Sequence, residues 1–321
     1  MTDRHKETAP RFDPSVKDKT ILVTGGCGFI GSHLVEALWK DNRVIVVDDL
    51  SNGKLENIAP FDVEFRQGSI LSDLGDIWDG VDIVFHLAAS VSVSRSVAEP
   101  SCDAENNVLG SLHVLDACRK HGVRRVVYSS SAAVYGDPIH LPIDEDHPKE
   151  PISPYGLSKL TGESYARLYH QLYGLGTTSL RYFNVYGPRQ DPKSPYAGVI
   201  SIFVHRLLED LPLIVDGDGL QERDFVSVKD VVQANLLAAG GGEEILGKAF
   251  NVGTGKSTAI AELAQIIARE KGRTSHGLPR PGDARESMAD LALSRGTLGY
   301  EPRIPLEAGI LQFKEWYSTR A

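Results

Sequence analysis

Sulfur is scarce in this chain of 321 residues. Its three cysteines, Cys27, Cys102 and Cys118, contain no Cys-x-x-Cys pair. That excludes a zinc knuckle or a disulfide framework and fits a reducing compartment. No apolar run is long enough to span a bilayer, and residues 1–18 lack the apolar stretch of a signal peptide. The expectation is a cytoplasmic protein with a short disordered lead-in over 1–18. Positive charge is in deficit: 34 Lys and Arg face 43 Asp and Glu, a net charge of −9. This argues against nucleic acid or an anionic membrane as the main partner. A small anionic ligand is still allowed, because a site needs only local positive potential. Internal repeats and low-complexity segments are absent. What is present, 41% hydrophobic and 24% charged residues, is ordinary for a soluble globular protein. The length exceeds one comfortable core and suggests two lobes.

From Thr20 the chain alternates between two hydrophobic periods. Residues 20–24 form a short apolar strand, a glycine cluster follows, a helical pattern covers 31–40, and a second strand covers 43–47. Further strands are expected at 81–87, 125–129 and 177–183. Helices are expected at 106–120 and 154–173, the latter with Leu157, Leu160, Tyr165, Leu168 and Leu172 as its apolar set. Apolar strands alternating with helices predict an α/β fold, a Rossmann-type doubly wound parallel sheet. After Gly187 the texture changes: Pro188, Pro192, Pro195 and Gly198 interrupt it, and turns such as 216–219 and 279–282 follow. We expect a Rossmann domain over 19–186 and a smaller C-terminal α/β lobe over 187–321, with the chain crossing back between them.

The run Thr24-Gly25-Gly26-Cys27-Gly28-Phe29-Ile30-Gly31 sits between the first strand and the first helix. Gly25 permits a tight turn, Gly28 lets a pyrophosphate approach the backbone, and Gly31 lets the helix pack on the strand. The helix then offers free N–H groups and a positive dipole end. Asp48, twenty residues past Gly28, can accept hydrogen bonds from a ribose diol and would repel a 2′-phosphate, which favours NAD over NADP. Cys27 reads as a small tolerated residue of this loop. Two other runs fail as sites. Residues 253–257 imitate the end of a phosphate loop but have Phe250 where a glycine is required, so they read as a turn before a Ser/Thr-capped helix near Thr258. Residues 216–219 lack the remaining ligands of a calcium loop, and no metal site is expected.

Tyr155 and Lys159 stand at i and i+4 on the long helix, hence on one face. A free phenol titrates near 10, too high for a base at neutral pH. A neighbouring ammonium together with a positive nicotinamide would favour the phenolate. Ser129, Ser130 and Ser131 end a strand, so a hydroxyl can meet the tyrosine at the carboxyl edge of the sheet.

The segments TGGCGFIGSHL, VVDDLSNG, HLAA, NNVLGS, SSSAAVYG, PYGLSK, RYFNVYGPRQ and RDFVSVKDV occur here in one order. Through them the chain resembles, from about residue 20 to 316, the extended short-chain dehydrogenases that act on nucleotide sugars. It is most similar to the UDP-glucose and UDP-N-acetylglucosamine 4-epimerases. Dehydratases and decarboxylases of that family carry an acid shortly before Val-Tyr-Gly, where this chain has Ala132 and Ala133. The resemblance therefore implies redox at C4 alone, with NAD as tightly held cofactor. It implies Tyr155 as the base at the C4 hydroxyl, Ser131 as its relay, and Lys159 as ligand of the nicotinamide ribose. It assigns Asp49, Phe29, Ile30, Ser51, Asn52, Gly53, Gly68, Leu87, Ala88, Ala89, Asn106, Ser129 and Phe183 to the cofactor. Asn184, Val199, Arg223, Arg280 and Asp283 fall to the UDP-sugar, where guanidinium forks suit phosphates.

The chain departs from the family at Ser69, where an aspartate often receives the adenine amino group. At Ser287 a small residue leaves room for an N-acetyl substituent, so UDP-glucose, UDP-galactose and their N-acetyl forms are all expected substrates. Alternatives are a UDP-glucuronate 4-epimerase or a nucleotide-sugar reductase; an NAD-sensing or scaffold protein is disfavoured, because such proteins usually lose the tyrosine or lysine and this chain keeps both. Helices 106–120 and 154–173 resemble the pair that builds a homodimer interface in this family.

Overall fold

The computed structural model describes residues 16–192, 194, 197–269, 273–278 and 285–319. Six strands follow in order: β1 (Thr20–Thr24), β2 (Arg43–Asp48), β3 (Glu64–Gln67), β4 (Ile83–His86), β5 (Arg125–Ser131) and β6 (Gly176–Tyr182). With Lys248–Val252 they make one seven-stranded sheet, which runs from that last strand through β6, β5, β4, β1 and β2 to β3. Every pairing in it is parallel. The chain winds outward from β1 through β2 to β3, then crosses back to β4 on the other side of β1, so a crevice opens at the carboxyl ends where the winding reverses.

Burial explains the strand composition. One face of the sheet packs against Leu34, Val35 and Leu38 of the first helix and Val231 and Ala234 of helix Val228–Gly240. The other packs against Val114, Leu115, Cys118 and Tyr169. A strand covered on both faces must be apolar throughout or satisfy its polar groups internally. A separate apolar core joins helices Val199–Leu208, Ile260–Ala268 and Leu306–Ser318 through Phe203, Val204, Leu263, Ala264 and Phe313. Past residue 187 the chain returns twice to the first lobe: helix Val228–Gly240 packs on the first helix, and Lys248–Val252 pairs with β6.

Several sequence expectations need correction. The first helix is Phe29–Leu38, two residues earlier than the hydrophobic period suggested, because Gly28 serves as its N-cap without a side chain. The helix expected over 106–120 runs back to Pro100 and passes through a π-helical turn at Glu105–Leu109. Thr258 does not cap a helix. Thr258–Ala259 pairs with Glu222–Arg223, and the helix starts at Ile260 with no side-chain cap. The long helix Pro154–Tyr173 is where expected, capped by Ser153, whose Oγ accepts the Gly156 N–H at 3.1 Å. Its apolar set is not its buried face: Leu157, Leu168 and Leu172 are exposed, while Gly156, Ser158, Lys159, Gly162, Glu163 and Ala166 are buried. The reason is close approach. A Cβ on Gly162 would lie 2.1 Å from the Tyr128 hydroxyl of β5.

Glu163 on that face is matched. Arg181 of β6 forms a two-pronged pair with Glu163, one prong at 3.0 Å, and donates to the Tyr135 hydroxyl at 2.8 Å and to the Glu145 carbonyl at 3.0 Å. Glu163 also receives the Ser130 hydroxyl at 3.0 Å. Removing one member of such a pair leaves the other charged and desolvated. Arg181→Met is therefore expected to lower stability by about 3–5 kcal/mol, measured from the midpoint of denaturant unfolding. A loss below about 1 kcal/mol, the worth of an exposed pair, would contradict the reading.

Candidate functional site

The carboxyl ends of β1, β2, β4, β5 and β6 face one cavity of about 940 Å³. That lies at the upper end of ligand pockets, roughly 300–1,000 Å³. The glycine turn forms one end of it. Gly25 has φ +70°, and its N–H donates to the Val47 carbonyl at 2.7 Å. A Cβ on Gly31 would stand 2.2 Å from the Gly25 carbonyl oxygen, so only glycine lets the helix start this close to the strand. Neither a side-chain cap nor an acidic residue occupies the first turn of Phe29–Leu38. Its amide groups remain available to an anion.

Asp48 is buried at the end of β2. One carboxylate oxygen accepts the Cys27 N–H at 3.0 Å and the other the Leu50 N–H at 2.8 Å. Burial raises its pKa above the usual range, and the two N–H bonds pull it back. Each oxygen can still accept a further bond from a ligand. Asp49 Oδ1 receives the Ser51 N–H at 2.9 Å and shapes the loop through Asn52 and Gly53. Ser69 Oγ accepts the Leu71 N–H at 3.2 Å. Gly28, Phe29, Ile30, Gly68, Leu87, Ala88, Ala89, Asn106 and Phe183 line the same wall.

Behind that wall a polar relay fixes Ala88. Its N–H donates to Thr24 Oγ1 at 3.2 Å, and Thr24 meets His86 Nδ1 at 2.8 Å. His86 Nε2 meets Ser111 Oγ at 3.0 Å, and Ser111 donates to the Asn107 carbonyl at 2.6 Å. The Ser111 proton is thus committed, so Nε2 carries the imidazole hydrogen and Nδ1 accepts from Thr24. Burial lowers the His86 pKa to about 3, with the charge of Lys159 acting in the same direction, so the ring stays neutral.

At the β5 end, Lys159 is buried and donates to the Ser129 carbonyl at 2.8 Å. Its nitrogen lies 5.4 Å from the centre of the Tyr128 ring and 6.0 Å from that of Tyr155. Burial lowers its pKa to about 8, while the Asp103 carboxylate pulls upward. Ser131, whose Oγ accepts the Ala133 N–H at 3.2 Å, lines the same wall as Tyr155. With the chain's own groups alone, the Tyr155 phenol sits above the ordinary range. Burial raises it, Ser131 pulls it down, and Asp103 pushes it up. Desolvation of the phenolate is the largest of these influences.

Ser131, Asn184 and Val199 also line the cavity. Arg223 and Ser287 are not on its wall. The Arg223 guanidinium donates to the Glu222 carbonyl at 2.7 Å, and Ser287 is half-buried. Arg280 and Asp283 lie outside the described residues. Sequence reasoning missed Arg189, which lines the cavity, pairs with Glu36 and sits 5.6 Å over the Phe61 ring. It follows Gly187-Pro188 in a run that carries no periodic signal. Also missed was Lys54, which closes one rim by bonding Asp191 at 2.8 Å.

Cys27 is buried, and desolvation with the charge of Asp48 pushes its thiol up to about 12. Cys118 is buried and raised as well. Only Cys102 is partly accessible. Titration of the folded protein with a disulfide reagent at pH 8 should therefore modify one thiol rapidly, and all three only after unfolding. Rapid modification of Cys27 in the folded protein would contradict the buried glycine turn.

The sequence profile of the NAD dependent epimerase/dehydratase family matches residues 21–253. A UDP-glucose 4-epimerase from Mycolicibacterium smegmatis is 41% identical over 94% of this chain and 99% of its own length. Among solved structures, a UDP-N-acetylglucosamine 4-epimerase from Methanobrevibacter ruminantium in complex with UDP-N-acetylmuramic acid superposes with a TM-score of 0.90. The identity is 39%, over 95% of this chain and 100% of that one. A Thermus thermophilus UDP-glucose 4-epimerase in complex with NAD gives a TM-score of 0.85 at 37% identity, over 94% and 100%.

Proposed function

The chain belongs to the NAD dependent epimerase/dehydratase family, and from that premise we propose that it inverts C4 of a UDP-hexose through a transient 4-keto sugar. Its substrates on this reading are UDP-glucose with UDP-galactose, and UDP-N-acetylglucosamine with its galacto epimer. The observation that carries it is the convergence of Tyr155, Ser131 and Lys159 on one cavity wall with the glycine turn and Asp48. That cavity fits a dinucleotide: the helix end is uncapped, Gly31 admits no Cβ, and Asp48 suits a ribose diol and opposes a 2′-phosphate. NAD, when bound, supplies the acceptor and donor of two electrons at C4, so the net reaction is redox-neutral.

The chain's own groups handle the proton. Tyr155 accepts it from the C4 hydroxyl and returns it to the C4 oxygen of the inverted sugar. Ser131, on the same cavity wall, shares it. Lys159 holds the ribose and contributes a positive charge that favours the phenolate. Because its pKa is depressed to about 8, that charge is present below pH 8 and is lost as pH rises through it. Elimination toward a 6-deoxy sugar needs an added acid beside Ser131, and Ala132 and Ala133 supply none. Small Ser287 favours acceptance of the N-acetyl group, and Asn184, Val199, Arg223, Arg280 and Asp283 are assigned to the UDP-sugar. We assign 19–186 mainly to the dinucleotide and 187–321 mainly to the nucleotide sugar. Its three unpaired thiols support a cytoplasmic setting.

A homodimer completes the proposal. Leu157, Leu168 and Leu172 repeat at helical spacing on an exposed face, and Leu109 is exposed on the neighbouring helical segment. Such a stripe is a candidate interface. Sedimentation velocity at micromolar concentration should report a dimer, and a monomer would contradict it.

Activity is tested by incubating the purified protein, with no added cofactor, with UDP-glucose, UDP-N-acetylglucosamine and UDP-glucuronate separately, followed by proton NMR. Conversion of the first two to galacto forms is expected, and conversion of the glucuronate alone would overturn the substrate assignment. Tyr155→Phe should lose about 10²–10⁴ of turnover while retaining NAD.

A further inference from the structure

Asp103 lies on the short helix Pro100–Ala104, just before the π-helical turn, and is 2% exposed. A carboxylate so buried must be fully bonded or it is costly. One oxygen accepts the Ser158 hydroxyl at 2.7 Å, next in sequence to Lys159. The other accepts the Asn107 side-chain amide at 2.8 Å. Asn107 in turn grips Ser90 at both ends: it receives the Ser90 N–H at 2.7 Å and donates to the Ser90 carbonyl at 2.9 Å. Ser90 lines the cavity beside Ala88 and Ala89. One carboxylate thus links the loop after β4 to the helix that carries Tyr155 and Lys159.

We propose that Asp103 is a positioning residue: it fastens the Ser90 loop to the long helix through Asn107 and Ser158 and holds a buried carboxylate against the turn that carries Lys159. The titratable groups around this cluster are His86 from β4, Tyr128 from β5, and Tyr155, Lys159 and Glu163 from the long helix. His86 is neutral, and burial holds the Tyr128 phenol protonated. Glu163 is bonded to Arg181 and Ser130. Asp103 is the group that acts upward on Lys159, and it also acts upward on Tyr155. The part concerning turnover rests on the proposed epimerase reading, whereas the part concerning the charge on Lys159 does not.

Asp103→Asn isolates the charge, because an amide can accept from Asn107 and donate to the Ser158 hydroxyl in the same place. Ser158→Ala removes one fastening and leaves the charge. The readout is the pH dependence of Lys159 acetylation by acetic anhydride in the full-length protein, followed by peptide mass spectrometry. In Asp103→Asn the midpoint should fall by roughly one pH unit, as for loss of a nearby opposite charge. In Ser158→Ala it should stay at the wild-type value. The pH optimum of sugar interconversion should fall with the midpoint. Asp103→Ser serves the same comparison if the amide variant does not accumulate. A midpoint unmoved in the charge-free variants, or moved equally by Ser158→Ala, would overturn the proposal. A shifted midpoint in a protein that converts no UDP-sugar would sink the epimerase reading and leave this inference standing.

Discussion

Lys159 donates a 2.8 Å hydrogen bond to the Ser129 carbonyl, and that bond requires several things at once. The helix must come close enough for a lysine stem to reach the end of β5. The neighbouring strand β4 must stop at His86, opposite Tyr128, so that Ser129, one residue further, has no partner on that side of the sheet. The ammonium must lose most of its water, which lowers its pKa to about 8. A desolvated cation with few partners is expensive, and it acts strongly on any charge that develops beside it. Tyr155, one turn away, is where such a charge can develop.

The rest of the first lobe can be understood as support for that approach. Gly162 lets the long helix lie against β5 and Gly156 lets it lie against the turn at Ala133, while Glu163 bonds Ser130 of β5 and Ser158 bonds Asp103, where leucines would otherwise pack. Arg181 matches Glu163 from β6 and extends the network to Tyr135, whose hydroxyl donates to Asn251 on the strand Lys248–Val252 at 2.6 Å. That strand leads from the first lobe into the second. The same buried network therefore underlies the β5 end of the cavity and the crossing between lobes. At the other end, Gly25 and Gly31 seat the first helix on β1, and Asp48 ties the glycine turn to β2.

The sheet was readable in the sequence because strands buried on both faces are continuous apolar runs, and the glycine turn because close packing and a left-handed φ leave few alternatives to glycine. Tyr155, Lys159 and Ser131 were readable because i, i+4 spacing and a strand end bring them together whatever surrounds them. The buried face of the long helix was misread, since periodicity assumes that helices bury leucines, and here they bury small and polar residues against a neighbouring strand. Asp103 left no trace because an aspartate in a helix looks like a solvated one until its partners Asn107 and Ser158 are in view. Thr258 was misread because a residue that suits an N-cap also suits a two-residue strand. Arg223 and Ser287 were drawn from resemblance alone and lie off the wall of the described cavity.

The central claim is that the Tyr155 phenol, raised by burial, becomes a usable base only when positive charge gathers around it. The most direct measurement is the phenolate absorbance near 295 nm against pH, wild type minus Tyr155→Phe, with oxidised and with reduced dinucleotide bound. The account predicts a midpoint lower by at least about one unit with the oxidised form, whose ring carries the charge. The same midpoint with both forms would contradict it.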